Sequence, residues 1–282
     1  MPALRFRILN VFARDGRLTG NPLCVVEDGS DLDPREMQAL ARQFNLSETT
    51  FILPSSGGAT ARVRIYTPAY EMPFAGHPTL GTAHVVRELK SAGDSVTLEM
   101  QAGIIPVSAR GNRWTLEAKP AAWREARESP DAIAAMLGLA AADVLAPLLW
   151  VNAGTEQLMV PLASRAAVER ARPVAEKFLE LESSDRPGKM LVFADDGDAR
   201  ETALARFFFP ANGAILEDPA TGSACANLGG WFQATRPDEA VTRVISQGEA
   251  IGRPSTLYLS VAQGRVRVGG DVIELGRGEV TL

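Results

Sequence analysis

Two short stretches of the chain combine residue types that could bind an anion at the start of a helix. The stretch from Asp218 to Ala224, DPATGSA, places a proline near a predicted helix start together with a glycine and two hydroxyl residues. The first N–H groups of a helix have no partner within the helix, so such a start can bind an anion such as a substrate carboxylate. Gly76-His77-Pro78 offers the same arrangement earlier in the chain. Both stretches are equally compatible with ordinary helix starts.

A carboxylate lies at a second position where chemistry is possible. Ser47 and Glu48 form a short polar connection between a predicted helix and the apolar run from Thr50 to Leu53, which is typical of a strand. A carboxylate at the edge of a strand is well placed to face a cleft. The alternative is a solvated loop carboxylate with no role.

The helix before Glu48 has a well-marked start. Asp33 precedes Pro34, and Glu36 follows three residues after Asp33, which is the pattern of an N-cap with a capping box. Apolar residues then recur at helical spacing, at Met37, Leu40, Ala41 and Phe44. The sequence therefore predicts a helix from Pro34 to about Asn45.

The rest of the first 118 residues mixes strands with a second helix. Alternating or apolar runs predict strands at 4–12, 23–26 and 61–66, and three more between Val96 and Leu116. A helix with its body over Thr79 to Lys90 follows Gly76-His77-Pro78. This order favours an α+β fold, since repeated βαβ units are absent from the pattern.

A stretch rich in alanine, proline and charge, Lys119 to Ser129, is the candidate linker. We therefore expect two domains, 1–118 and 119–282, with a final strand that can cross back to the first. In the second, Ser129-Pro130 predicts a helix start, strands are expected at 148–151, 158–160, 190–194 and 203–209, and the last forty residues are typical of a β meander.

The two halves contain similar short sequences. His77-Pro-x-x-Gly-Thr-Ala resembles Asp218-Pro-x-x-Gly-Ser-Ala at an offset of 141, and RIYTPA from Arg64 resembles RFFFPA from Arg206 at an offset of 142. Internal similarity at half the chain length indicates a duplicated architecture with a pseudo-symmetric cleft. The register of the repeat can differ from these offsets by a helical turn.

Composition and charge exclude several classes of protein. The net charge of -5 is spread along the chain without a basic stripe, so nucleic acid is not an expected partner. Arginines at positions 5 and 7 interrupt any signal peptide, and no run of 18 apolar residues occurs, so we expect a cytoplasmic protein without a membrane partner.

Neither a metal nor a nucleotide cofactor is expected. The two histidines, His77 and His84, would lie roughly 10 Å apart along one helix, too far to share a metal ion. The glycines form neither a Walker sequence nor a GxGxxG between strand and helix.

Several motifs, in order along nearly the whole chain, resemble those of the PhzF-like family of phenazine biosynthesis proteins. They are Gly20-Asn21-Pro22, Ser47-Glu48, EMPFAGHP from Glu71, DPATGSA from Asp218, Gln247-Gly248 and Gly252-Arg253-Pro254-Ser255. The resemblance implies a diaminopimelate epimerase-like fold: two pseudo-symmetric domains, each with a barrel-like β-sheet wrapped around a central α-helix, in a protein that is usually a homodimer.

The same resemblance implies an isomerase that shifts a proton on a small, cyclic, unsaturated carboxylic or amino acid without a cofactor. Glu48 would be the general acid and base, with a pKa raised by burial, while His77, Asp218 and Ser223 surround the substrate. Asn21, Gly76, Thr221 and Gly222 would complete the substrate-binding set. Tyr70, Ala75, 152–157 and Ala211-Asn212 are candidates for the variable pocket wall.

Each implied catalytic residue has a structural alternative. His77 could cap its helix or bond a loop carbonyl, and Ser223 could bond a backbone group. Aspartate before proline at a helix start is a common N-cap, and Asp218 could cap its helix and still orient the His77 imidazole. An epimerase or racemase, or a non-catalytic metabolite-binding relative, remains open beside the isomerase.

The cysteines argue against one variant of this chemistry. Epimerases of this fold that use two thiols carry each thiol beside a glycine at a helix start, whereas here Ala75 precedes Gly76 and Ala220 precedes Thr221-Gly222. Cys24 falls in an apolar strand and Cys225 inside a helix. We expect both to be core residues and not nucleophiles.

Overall fold

The computed structural model describes residues 3–181, 183–184, 187–211 and 213–282, and over these ranges it contains seventeen strands and six α-helices. The strands are β1 (Ala3–Val11), β2 (Asn21–Val26), β3 (Glu48–Leu53), β4 (Ala61–Tyr66), β5 (Glu71–Met72), β6 (Ser95–Met100), β7 (Gly103–Arg110), β8 (Arg113–Glu117), β9 (Ala122–Glu125), β10 (Leu149–Asn152), β11 (Glu156–Pro161), β12 (Met190–Asp195), β13 (Thr202–Ala211), β14 (Ala214–Asp218), β15 (Val241–Gln247), β16 (Ser255–Ala262) and β17 (Arg265–Thr281). The helices are α1 (Pro34–Phe44), α2 (Gly76–Leu89), α3 (Pro130–Leu137), α4 (Arg165–Arg170), α5 (Ala175–Phe178) and α6 (Gly222–Thr235).

The chain divides into two units, one formed by Met1–Glu117 with Gly269–Leu282 and the other by Ala118–Val268. Most of β17 therefore belongs to the first unit, where it pairs antiparallel with β1. The expected linker over Lys119 to Ser129 is wrong in its middle, because Ala122–Glu125 forms β9 and pairs with β10. The sequence of β9, AWRE, does not alternate between apolar and polar residues, and all four side chains are exposed. Its pattern therefore did not predict a strand.

Eight strands of the first unit close into a barrel. The pairs run β1–β2, β2–β3, β3–β4, β4–β6, β6–β7, β7–β8, β8–β17 and β17–β1. The pairs β2–β3 and β4–β6 are parallel, since α1 connects the first pair and α2 the second. Closure leaves the barrel strands without free edges.

Helix α2 is the centre of this barrel. It packs against β1–β4 and β6–β8, and its residues are buried on every side from His77 to Ala83. Gly81 permits this close packing, because a Cβ there would lie 2.4 Å from Leu23 Cδ2 and 2.9 Å from Val11 Cγ2. Helix α1 lies against β3 and β4, and its capping box at Asp33 and Glu36 is present as predicted.

The second unit repeats the same strand order and directions. From β10 to β16 the pairs are antiparallel, parallel, antiparallel, parallel and antiparallel, through β11, β12, β13 and β15. The pairs from β1 to β7 follow the same pattern. Helix α6 packs against β9, β10, β11 and β16, as α2 packs within its own sheet. The predicted α+β class with a barrel-like sheet around a central helix is confirmed.

Candidate active site

Glu48 and His77 meet inside the first unit. Glu48 is the first residue of β3, slightly earlier than the predicted strand start at Thr50, and His77 is the second residue of α2. Glu48 Oε2 lies 3.2 Å from His77 Nε2, and the two side chains are 15% and 7% exposed. The reading of Glu48 as a solvated loop carboxylate is therefore wrong.

The orientation of the His77 ring follows from its other contact. The imidazole bonds the backbone carbonyl of Pro22, and a carbonyl can only accept, so the ring nitrogen that faces it carries a proton. Since Nε2 has no aligned hydrogen bond, this nitrogen is Nδ1. Burial lowers the pKa of His77 to about 3, although the bond to Pro22 acts in the opposite direction. His77 is therefore neutral near pH 7, with an Nε2 lone pair directed at Glu48.

The helix that carries His77 starts earlier than its sequence suggested. Residue Ala75 is the N-cap and Gly76 the first residue, whereas the predicted body began at Thr79. Proline at position 78 is compatible with the first turn, because N–H groups there have no partner within the helix. His77 therefore does not cap α2 and instead binds the carbonyl of Pro22, next to the buried Asn21 at the start of β2.

A hydrogen bond between two threonine side chains connects β3 to α2. The Oγ1 atoms of Thr50 and Thr82 lie 2.8 Å apart in a fully buried hydrogen bond. Thr50 is two residues beyond Glu48 and faces the same side of the strand. This bond therefore sets the position of the strand that carries Glu48 relative to the helix that carries His77.

In the second unit, Asp218 and Thr221 lie in the connection from β14 to α6. Asp218 is the last residue of β14, and the Thr221 hydroxyl donates to its Oδ2. The N-cap of α6 is Thr221 and its first residue is Gly222. The prediction that Asp218 caps this helix is therefore wrong, because the helix starts four residues later than Asp218.

Gln247, at the end of β15, fixes this connection. Its Nε2 donates to the Asp218 carbonyl at 2.9 Å and to Thr221 Oγ1 at 3.1 Å, and its Oε1 accepts from Thr221 N at 3.3 Å. Gly248 then allows its backbone to lie close to that of Pro219, since a Cβ at position 248 would lie 2.6 Å from the Pro219 carbonyl oxygen. Gln247 and Gly248 had entered the sequence analysis only as part of the family resemblance.

Ser223, the second residue of α6, belongs to a chain of buried amides. Gln157 Nε2 donates to Ser223 Oγ at 3.0 Å, and Asn227 Nδ2 donates to Gln157 Oε1 at 2.8 Å. The partner of Ser223 is thus a side chain and not the backbone group considered above. Sequence analysis missed Asn227 altogether; its signal is a polar residue one turn after Ser223 among the small and apolar residues of the first half of the helix.

The structure corrects the register of the internal repeat. Gly76 and Gly222 are the first residues of the two central helices, so the helix starts are 146 residues apart and not 141. His77 therefore corresponds to Ser223. The preceding strands keep a shared feature: Arg64 pairs with Glu71 through two bonds, and Arg206 pairs with Glu217 in the same way.

The two cysteines and the second histidine are either buried or bonded to another side chain. Cys24 and Cys225 are buried, and burial raises the pKa of both thiols, for Cys24 to about 12. His84 Nδ1 accepts from Trp114 Nε1 at 3.3 Å. Within the described residues no group of three or more His, Cys, Asp or Glu side chains could hold a metal ion.

The proposed pocket wall is only partly visible. Tyr70 is largely exposed, and Ala75 is the N-cap of α2. Gln157 from the predicted stretch 152–157 contacts Ser223, and Asn212 lies outside the described residues.

Over the described ranges, no helix has both the length and the apolar character needed to cross a bilayer.

Comparison with known proteins identifies the family. The family model described as phenazine biosynthesis-like protein matches residues 9–277, nearly the whole chain. The chain belongs to the phenazine biosynthesis-like protein family. Members related to it include an uncharacterized isomerase of Pasteurella multocida, 34% identical over 98% of this chain and 93% of that protein. A trans-2,3-dihydro-3-hydroxyanthranilate isomerase of Pseudomonas fluorescens is 33% identical over 94% of this chain and 95% of that protein.

A solved structure of the same family supports the fold. The crystal structure of a Bacillus anthracis phenazine biosynthesis protein of the PhzF family covers all of this chain and is itself fully covered, with a TM-score of 0.86 and 25% identity. Membership of the phenazine biosynthesis-like family and the names of its curated relatives assign this chain to the isomerases as an enzyme class.

Proposed function

We propose that this protein is a cofactor-independent isomerase that moves a proton on a small, cyclic, unsaturated carboxylic or amino acid, with Glu48 as the general acid and base. The observation that supports this most directly is the contact of 3.2 Å between Glu48 Oε2 and His77 Nε2 in a largely buried setting. Both thiols are buried, and carboxyl and imidazole groups are among the side chains that act as general acids and bases in proton transfer.

The contact gives the proton of Glu48 an acceptor whenever the carboxyl group is in its acid form. With Nδ1–H directed at Pro22, the neutral His77 presents a lone pair at Nε2. An ionised carboxylate would place a second lone pair against it at 3.2 Å, whereas a carboxylic acid can donate its proton there. The angle of the contact is poor for a hydrogen bond, as is common in free enzymes whose catalytic contacts tighten on substrate binding.

In the proposed reaction one carboxyl group acts twice. As a carboxylate, Glu48 would remove a proton from one carbon of the substrate and then, as the acid, deliver that proton to another carbon on the same face. The negative charge that develops between these steps spreads into the adjacent π system of the substrate. Total proton count and oxidation state are unchanged, so the reaction requires no electron carrier.

Among the described residues of the second unit, the position that corresponds to Glu48 holds Met190, which favours a single acid-base group. In the first unit Leu23 on β2 lies opposite Glu48 on β3, and the corresponding parallel pair in the second unit is Leu158 opposite Met190. Met190 is fully buried and cannot exchange a proton. An epimerase that uses matching bases from its two halves is therefore less well supported than a proton shift by one base.

The proposed substrate carries a carboxylate. Curated relatives from three Pseudomonas species act, by name, on trans-2,3-dihydro-3-hydroxyanthranilate, which is a cyclic amino acid of this kind. Ser223 and the backbone of Gly222 at the start of α6 are suited to bind such an anion, because the amino end of a helix favours negative charge. We propose Asp218, Thr221, Asn21 and Gly76 as further substrate contacts.

The proposal is tested by incubating the protein with trans-2,3-dihydro-3-hydroxyanthranilate in D2O and following the carbon-bound protons by NMR. We expect a positional isomer that carries its proton, or a deuteron from solvent, at a new carbon. A product of unchanged connectivity and inverted configuration would identify an epimerase, which chiral chromatography detects. Binding that raises the melting temperature without either product would indicate a non-catalytic protein.

A further inference from the structure

The buried amides behind Ser223 have a fixed orientation. Asn227 Oδ1 accepts from the backbone N–H of Ala153 at 2.8 Å, and its Nδ2 donates to the backbone carbonyl of Thr155 at 2.9 Å. A backbone N–H can only donate and a carbonyl can only accept. The two ends of the Asn227 amide therefore cannot be exchanged without two unfavourable contacts.

The orientation of the Asn227 amide also fixes that of the Gln157 amide. The second proton of Asn227 Nδ2 is donated to Gln157 Oε1 at 2.8 Å, so the other end of the Gln157 amide, Nε2, must face Ser223. Gln157 and Asn227 are each only 1% exposed, so water does not compete for these bonds. The Ser223 oxygen therefore accepts from Gln157, and its own hydrogen points elsewhere.

We infer that Gln157 and Asn227 are positioning residues that make the Ser223 hydroxyl a hydrogen-bond donor, and that the substrate group at Ser223 is a carboxylate oxygen. The inference rests on the proposed function and adds to it the chemistry that one residue recognises. The hydroxyl keeps its O–H and one lone pair, so an acceptor in that place receives its hydrogen, whereas a donor would leave that hydrogen without a partner. The start of α6 also favours negative charge at this position.

Four proteins form the test: wild type, Gln157→Glu, Ser223→Ala and the double variant. Ionised glutamate keeps the size of Gln157 and can only accept, both from Asn227 and from Ser223, so the Ser223 bond is turned around and Ser223 donates inward. The assay is turnover of trans-2,3-dihydro-3-hydroxyanthranilate, with KM and kcat determined separately. Gln157→Met, which lacks both polar atoms, is the matched control that leaves the Ser223 hydroxyl free to rotate.

We expect Gln157→Glu to lower kcat/KM about 10- to 100-fold, mainly through KM, because a hydrogen bond to a charged group is lost. Ser223→Ala should have a similar effect, and the double variant should be no more than about threefold worse than Ser223→Ala. Losses that multiply in the double variant would overturn the inference, since Gln157 would then act independently of Ser223.

The methionine variant separates positioning from stability. Gln157→Met leaves a buried Asn227 N–H without an acceptor, so its urea midpoint should fall below that of Gln157→Glu. Its KM should nevertheless stay closer to wild type than that of Gln157→Glu. If KM instead follows the urea midpoint across the two variants, Gln157 is merely structural and the inference fails.

A second measurement does not depend on turnover. The side-chain amide protons of Gln157 are assigned by NMR as the resonances missing from Gln157→Glu, and they should shift in Ser223→Ala. Unmoved resonances would refute the contact and the inference with it. If wild type neither converts nor binds the anthranilate derivative, the proposed function fails for that compound, while these resonances still decide the orientation at Ser223.

Discussion

Lowering the pH should destabilise the first unit through His77. The unfolded chain binds a proton at the ordinary histidine pKa of about 6.5, whereas burial lowers the pKa of folded His77 to about 3. Between these values the unfolded state holds one more proton, so the free energy of unfolding falls as the pH falls. The slope from this one residue is at most about 1.4 kcal/mol per pH unit, which integrates to about 2.3 kcal/mol between pH 6.5 and 4.5 because the unfolded histidine is only half protonated at pH 6.5.

Hydrogen exchange of the α2 amides, followed by mass spectrometry, measures this effect within the unit that contains His77. The opening free energy is determined from pH 7 to 4.5 for wild type and for His77→Gln, which keeps a polar side chain but cannot take up the proton. Other groups titrate in both proteins, so the difference between the two isolates His77. A difference that stays constant over this range would refute the assignment of His77 as a neutral, buried imidazole.

Two further predictions compare matched sites within the chain. Gly248→Ala should lower the melting temperature clearly more than Gly252→Ala, and should also raise KM, because both glycines have positive φ but only at Gly248 would a Cβ collide with backbone oxygens. Arg206→Met should lower the free energy of unfolding in urea by about 3–5 kcal/mol, because it leaves Glu217, whose side chain is only 7% exposed, without its cationic partner. Arg64→Met should lower it less, because the partner Glu71 is 21% exposed. Equal losses within either pair would contradict the reasoning.

Local signals in the sequence predicted the elements whose ends depend on nearby residues. The capping box at Asp33 located α1, and the alternation from Ala61 to Tyr66 gave β4 with its observed bounds. Helix α3 starts at Pro130, as Ser129-Pro130 predicted, and Ser129 caps it. In each case the deciding bonds join residues a few positions apart, so the pattern alone contains them.

Features set by distant partners could not be predicted in this way. The strand β9 exists because β10 supplies its hydrogen bonds, and Gln157 meets Asn227 across 70 positions of sequence. The start of α2 was misplaced because Pro78, inside the first turn, resembles a proline at the beginning of a helix, whereas Pro219 lies before α6. Asp218 was therefore considered as the cap of a helix whose N-cap position is Thr221, and the repeat was read at 141 instead of 146.

The identity of the proton-transferring group is the central claim, and it is tested most directly by Glu48→Gln. The variant keeps the shape of the side chain and should still bind substrate within about fivefold of wild type by calorimetry, while both proton transfer to the product and deuterium uptake from D2O fall on the order of 10³-fold or more. Glu125→Gln, which alters an exposed carboxyl on β9, is the control and should behave as wild type. Proton transfer by Glu48→Gln at the wild-type rate would contradict the assignment of Glu48 as acid and base.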